Sequence, residues 1–207
     1  MRTAAINLSL QRTITTARLD RYLIEMQGDL DGALALYEYN LLVSESFYTV
    51  LQCLEVCLRN TLDECLSVTY GADWMTNSKA AFSFDAQNEI LKSYQELGGN
   101  QNLPHGAIIA QLKFAFWVGL LGPRYDATLW RQSLHQGFKA TTGKKRSDAH
   151  GRINAIRRFR NRVAHHEPIY HKDLTILHAE ILEAISWMCK DTMAWAKHHS
   201  RVLSLLR

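Results

Sequence analysis

The chain has 207 residues, 47% of them hydrophobic, with three prolines, eleven glycines and a formal net charge of +4. That is ample apolar material for a packed core and too few turn-forming residues for an architecture built on many tight turns, so long helices are favoured. No stretch between Asp31 and Lys197 has the Pro, Gly and Ser content of a linker, which points to a single domain over 1–207.

Taken in chain order, residues 1–9 hold one arginine and no long apolar run, and read as neither a signal nor a transit peptide. Thr15 or Thr16 is placed to cap a first helix over 17–27, which Gly28 ends. A turn over 28–32 follows, and then 33–68 runs without Gly or Pro and is dense in Leu, Tyr, Val and Phe, as one long helix or two nearly collinear ones. Gly71 is its stop. A helix over 85–97 is closed by Gly98-Gly99, and Pro104 suits the first residue of the next, running to Leu120. The longest apolar tract, 107–121, is interrupted by Gln111 and Lys113 and falls short of the roughly 18–20 residues of a membrane span, so it reads as a core helix. Residues 126–134 are a shorter candidate. Gly143-Lys144-Lys145-Arg146 reads as an exposed basic loop, after which Ser147 or Asp148 caps a helix to about Ala164. Asp173 then caps a last long helix toward Lys197. No segment alternates with period two and no repeat is visible, so the expected fold class is an all-α helical bundle.

The four cysteines, Cys53, Cys57, Cys65 and Cys189, include no CxxC pair and suit a reducing cytoplasm. Charge is unevenly spread. Residues 139–172 carry ten Lys or Arg against Asp148 and Glu167, a local charge of +8, and the remainder of the chain sums to −4. Such concentration of positive charge is the pattern expected for a polyanion such as RNA or DNA.

Inside that segment lies Arg160-Asn161-Arg162-Val163-Ala164-His165-His166-Glu167-Pro168. An arginine, an amide and two histidines can hold a phosphate, orient an imidazole and move protons near neutral pH. At about 100° per residue, Ile153, Ile156, Phe159 and Val163 form an apolar stripe, and Arg160 falls within it. A guanidinium there must face a buried carboxylate, a cleft or a subunit interface. Asn161 and His165, four apart, share a helix face, so the amide could fix the ring. Arg160 and His165 are five apart, roughly 140° around the helix, and converge only if the helix ends near Pro168 and bends the histidines round, or if two copies complete one site. Arg157, Arg158 and Arg162 point elsewhere. On the long second helix, Glu55 falls within the stripe of Leu51, Leu54, Leu58 and Leu62 and stands four residues before Arg59; it is expected to hold Arg59 or Arg160.

Several plainer readings compete. Lys144, Lys145 and Arg146 suit a solvated loop as well as an RNA contact. His150, His165, His166 and His171 lack the cysteines, acids or HExxH spacing of a metal site, so neither metal nor cofactor is expected. Phe114, Phe116 and Trp117 read as core or dimer contact. His166 could assist catalysis or satisfy the helix end.

Arg160-Asn161-x3-His165 matches the Arg-x4-His pattern of the HEPN superfamily, and the chain more closely resembles the bacterial abortive-infection (Abi-like) family. The similarity extends to Arg21-Tyr22-Leu23, Leu54-Glu55-Val56-Cys57-Leu58-Arg59-Asn60, Tyr70-Gly71-Ala72-Asp73-Trp74, Phe114-Ala115-Phe116-Trp117-Val118 and residues 157–168. The resemblance implies a HEPN-type bundle and a metal-independent endoribonuclease of phage defence or a toxin module, usually a homodimer with paired motifs. Arg160 would contact the scissile phosphate, Asn161 would orient the site, and His165 would be the general acid/base. Glu55, Arg59, Arg157, Arg162, Lys144 and Lys145 are the expected supporting or substrate-binding residues. RNA is the expected substrate, and an inhibitory RNA or protein partner is expected to restrain it. The alternatives are a protein that binds RNA or a nucleotide without cutting it, and an interaction component of a toxin pair.

Overall fold

The computed structural model describes residues 2–99, 103–139 and 145–206, which form ten α-helices and no strand. Thr3 accepts the Ile6 N–H and opens α1 (Ala4–Ile14), a helix that the sequence does not announce: Asn7 is its one buried residue, so it carries no apolar stripe. Thr15, at φ 76°, ends α1 and caps α2 (Thr16–Glu25). Leu19 and Tyr22 of α2 pack with Ala33 and Leu34 into a small core of their own, against which Tyr170 lies.

Asp29 accepts the N–H groups of Asp31 and Gly32 and starts α3 (Leu30–Tyr70), 41 residues and about 60 Å long. It ends at Gly71, whose φ of 94° closes the helix. By length and apolar composition alone α3 could cross a bilayer. Its apolar side is used within the molecule: Val43, Phe47, Val50, Leu54, Leu58, Leu62 and Leu66 are all buried, and α2, α6, α8, α9 and α10 pack around it.

α4 (Phe84–Glu96) is capped by Ser83. The single helix expected from Pro104 to Leu120 is two, α5 (His105–Gln111) and α6 (Phe114–Leu120), separated by an extended Leu112. Leu112 and Phe114 would point about 200° apart on an unbroken helix; the break lets both enter the core, with Phe116 and Trp117. The candidate helix over 126–134 is instead a wide π turn over Asp126–Trp130, followed by a 3-10 turn over Leu134–Gly137.

α7 (Arg146–Ala164) has its cap position at Lys145, two or three residues before the expected Ser147 or Asp148, and Lys145 makes no side-chain cap. Arg146 anchors this start by donating to Asp126 and to the Leu121 carbonyl. The last expected helix is also two, α8 (Leu174–Met188) and α9 (Lys190–His199), followed by the short α10 (Val202–Leu205). Two contacts break it. The Lys139 N–H takes the Trp187 carbonyl at 2.7 Å, and the Cys189 sulfur accepts the Thr192 N–H at 3.4 Å as the cap of α9.

Candidate active site

Ile153, Ile156, Phe159 and Val163 of α7 are all buried, and the Phe159 ring meets Phe47 of α3 edge-on at 4.9 Å. The stripe packs α7 chiefly on α6 and α8, and Phe159 is its contact with α3, with a cleft of about 330 Å³ left between α3 and the end of α7. Tyr48, Gln52, Glu55 and Arg59 wall it from α3; Arg160 and Ala164 wall it from α7. The guanidinium of Arg160 therefore leaves the apolar stripe for the cleft, where its Nη2 stands 3.5 Å from Glu55 Oε2. The two side chains keep 40% and 30% of their surface accessible, so water screens the pair and its contribution to stability is below about 1 kcal/mol. Its consequence is geometric: one arginine is aimed across the cleft.

Of the two partners expected for Glu55, Arg160 is the one engaged. Arg59 also lines the cleft but donates its Nε to Asn60 at 3.2 Å. The spacing that predicts a Glu55–Arg59 pair yields none, because the Glu55 carboxylate is turned toward α7.

The helix stops at the histidines. The His166 N–H donates to the Val163 carbonyl at 3.0 Å and the Glu167 N–H to the Arg162 carbonyl at 2.8 Å, with His166 in the left-handed region at φ 57°. This is a Schellman closure with histidine in the place usually taken by glycine. Three side chains hold the segment that follows. Arg18 of α2 donates to the carbonyls of both His165 and His166, at 3.0 and 2.9 Å. Arg162 pairs with Glu167 at 3.1 Å and donates to the Pro168 carbonyl. Buried Asn40 of α3 accepts the N–H groups of Ile169 and Tyr170 at 2.7 and 3.3 Å.

Both imidazoles are exposed and, among the described residues, neither makes a hydrogen bond. The orientation of His165 by the Asn161 amide is not formed. The two residues are joined instead by the backbone bond from the His165 N–H to the Asn161 carbonyl, at 2.9 Å, because His165 caps the helix rather than lying within it. Asn161, next to Arg160 in sequence, and His165 and His166, which follow Ala164 at the helix end, do not line the cleft.

The remaining expected residues divide. Arg162 is occupied in clamping the chain, and Arg157 donates to Asn154 at 3.0 Å on its own helix. Lys145 is exposed at the opposite end of α7, about 27 Å away along the axis, so the fold does not bring it to the cleft. Lys144 lies outside the described residues. Arg146 and Arg152 of the basic segment are structural ties, the latter to Glu180 and Glu183 of α8 at 3.2 Å.

No family model, no curated protein and no solved structure matches this chain. Its chemistry has to be read from its own side chains.

Two residues at the site carry no local signal in the sequence: Arg18 is 147 positions from His165, and Asn40 is 129 from Ile169. The Asn40→Ala variant would leave the Ile169 N–H buried without an acceptor, an expected loss of about 1–3 kcal/mol, measurable by urea unfolding. At the helix end, the His166→Gly variant removes the left-handed penalty of about 1–2 kcal/mol and adds back about 0.5–1 kcal/mol of unfolded-chain entropy. The expected result is a rise of about 2 °C in melting temperature, with His165 and its neighbours unmoved.

Proposed function

We propose that the protein is a metal-independent endoribonuclease acting at the α3–α7 cleft and the adjoining helix end. The observation that carries this reading is a cleft-facing guanidinium, Arg160, in the last turns of a helix that ends at two exposed imidazoles on a clamped backbone. The guanidinium suits a phosphate that gains charge in a transition state; imidazole exchanges protons near neutral pH. RNA brings its own nucleophile. A base removes the 2′-hydroxyl proton, the 2′-oxygen attacks the neighbouring phosphorus, the bond to the 5′-oxygen breaks, and an acid returns a proton to that oxygen. The products are a 2′,3′-cyclic phosphate and a 5′-hydroxyl. In this scheme His165 transfers protons, Arg160 binds the scissile phosphate, and Glu55 positions Arg160. DNA, lacking the hydroxyl, is left intact.

The resemblance of Arg160-Asn161-x3-His165 and its outlying blocks to the Abi-like branch of the HEPN superfamily supports the same reaction, and with it a phage-defence or toxin role, a homodimer and a restraining partner. In such a homodimer the His165 of each copy would serve one shared site, one ring as base and the other as acid.

A second reading, retention of RNA or a nucleotide without cleavage, is favoured by one observation: among the described residues, no hydrogen bond fixes the ring of His165 or His166 as an acid or base. End-labelled RNA incubated with the protein in EDTA separates the two. Cyclic-phosphate and 5′-hydroxyl ends support the ribonuclease. Retained but intact RNA supports the binding module, and neither cleavage nor retention removes both.

A further inference from the structure

We propose that Arg21, His171 and Lys172, where α2 meets the turn between α7 and α8, form a second phosphate site that holds a nucleic-acid strand beside the cleft. The placement follows from a chain of packed rings. Tyr22 is buried under α2 with its ring 5.5 Å from that of Tyr170, and Tyr170 meets the His171 ring edge-on at 5.5 Å. Arg21 is exposed on α2 between Tyr22 and Arg18, the two residues by which that helix meets the segment 165–170 that leads to His171 and Lys172. The His171 ring reports the crowding: partial burial first, then the charges of Arg21, Lys172 and Arg162, hold it below the ordinary imidazole value, and only Glu25 opposes them.

Arg162 has a carboxylate partner in Glu167. Among the described residues, Arg21 and Lys172 have none within ion-pair distance. Glu25 is the one carboxylate that acts on the His171 ring and it pairs directly with neither cation, so a phosphodiester completes the set: a guanidinium fork, a point charge and a ring N–H are the donors such a group takes. The cluster is continuous with the histidine pair, because Arg18, one turn before Arg21 on the same side of α2, bonds the carbonyls of His165 and His166. A strand crossing the end of α7 from the cleft would reach it.

That the strand is RNA rests on the ribonuclease reading; that the site takes a strand phosphate does not. The test is the binding of a 2′-O-methyl oligoribonucleotide, which offers phosphates but no attacking hydroxyl, followed by fluorescence anisotropy from about 50 to 200 mM salt. For the wild type, log K should fall linearly with log salt. The double variant Arg21→Ala/Lys172→Ala should lose about 1.4 from that slope, so that its deficit relative to the wild type shrinks about sevenfold across this range. Arg21→Lys and Lys172→Arg, which keep the charges, should keep the slope, and melting curves check that every variant is folded.

A folded double variant with the wild-type slope and affinity overturns the site and leaves the ribonuclease reading standing. A wild type that does not bind the oligomer overturns the site, and the cleavage assay then decides the ribonuclease reading separately. A wild type that cuts nothing, yet shows the charge-dependent slope, upholds the site and removes the nuclease. AMP binding as tight as the oligomer, and lost in the double variant, would make this a mononucleotide site and overturn the strand.

Discussion

Replacing His165 with alanine is expected to lower RNA cleavage by about 10²- to 10⁴-fold, the usual range for removing a positioned acid or base. Retention of the RNA should change little. His165 lies at the helix cap with its ring exposed, so the substitution removes no core contact, and Arg18 continues to bond the backbone carbonyl that remains. Arg160→Ala should cost about 10²- to 10³-fold, as expected for a donor that meets developing phosphate charge. It should also weaken retention, because the guanidinium meets the ground-state phosphate as well. The two losses should not add, since both residues serve one transition state. Initial rates on a labelled oligonucleotide, with melting curves alongside, measure these effects. Cleavage within threefold of wild type in both folded variants would remove the assigned roles.

The largest effect on stability is expected from Phe47→Ala. Phe47 is fully buried on α3, and its ring meets Phe159 directly behind the Arg160 motif. Deleting it exchanges buried surface and an aromatic pair for a cavity, at a cost of about 3–5 kcal/mol. For a chain of this length, a loss of that size lowers the melting temperature by about 10 °C. Phe47→Leu, which keeps most of the volume, should lose less than half as much. Urea unfolding of the pair separates the cavity from a nonspecific effect of substitution at this position. An alanine variant as stable as the leucine variant would show that the α3–α7 contact is not what holds the motif in place.

The helical class was legible because its cause is local. Residues 33–68 contain nothing to interrupt a helix, and Gly71 stops it for a conformational reason visible in one letter. The breaks at Leu112 and Cys189 were not legible. The first exists to bury Leu112 and Phe114 together, and the second depends on the Lys139 N–H, fifty residues away in sequence, reaching the Trp187 carbonyl. α1 escaped notice because it buries one polar residue and carries no stripe for periodicity to detect.

At the site, a cleft-facing Arg160 follows from a charge falling within an apolar stripe, and the meeting with Glu55 from the same argument made on α3. The helix end near the histidines follows from Pro168. Which side chains then hold that end depends on tertiary contacts such as Arg18, and the Asn161 amide that the spacing assigns to orienting the His165 ring makes no hydrogen bond to it. Counting charges along 139–172 likewise overstated the positive surface available to a ligand, since Arg146, Arg152 and Arg162 are consumed by carboxylates that the same count placed elsewhere or set against the total.

Arg18 and Asn40 lie near the beginning of the chain, and the backbone they hold comes more than 120 residues later. A polypeptide still emerging from the ribosome therefore carries its clamp well before it carries the histidines, and the two join only once both have been translated. Contacts of such long range form slowly. On the ribonuclease reading proposed above, a centre that stays unassembled until both parts have been made would keep a new copy harmless to the message and the ribosome that are making it.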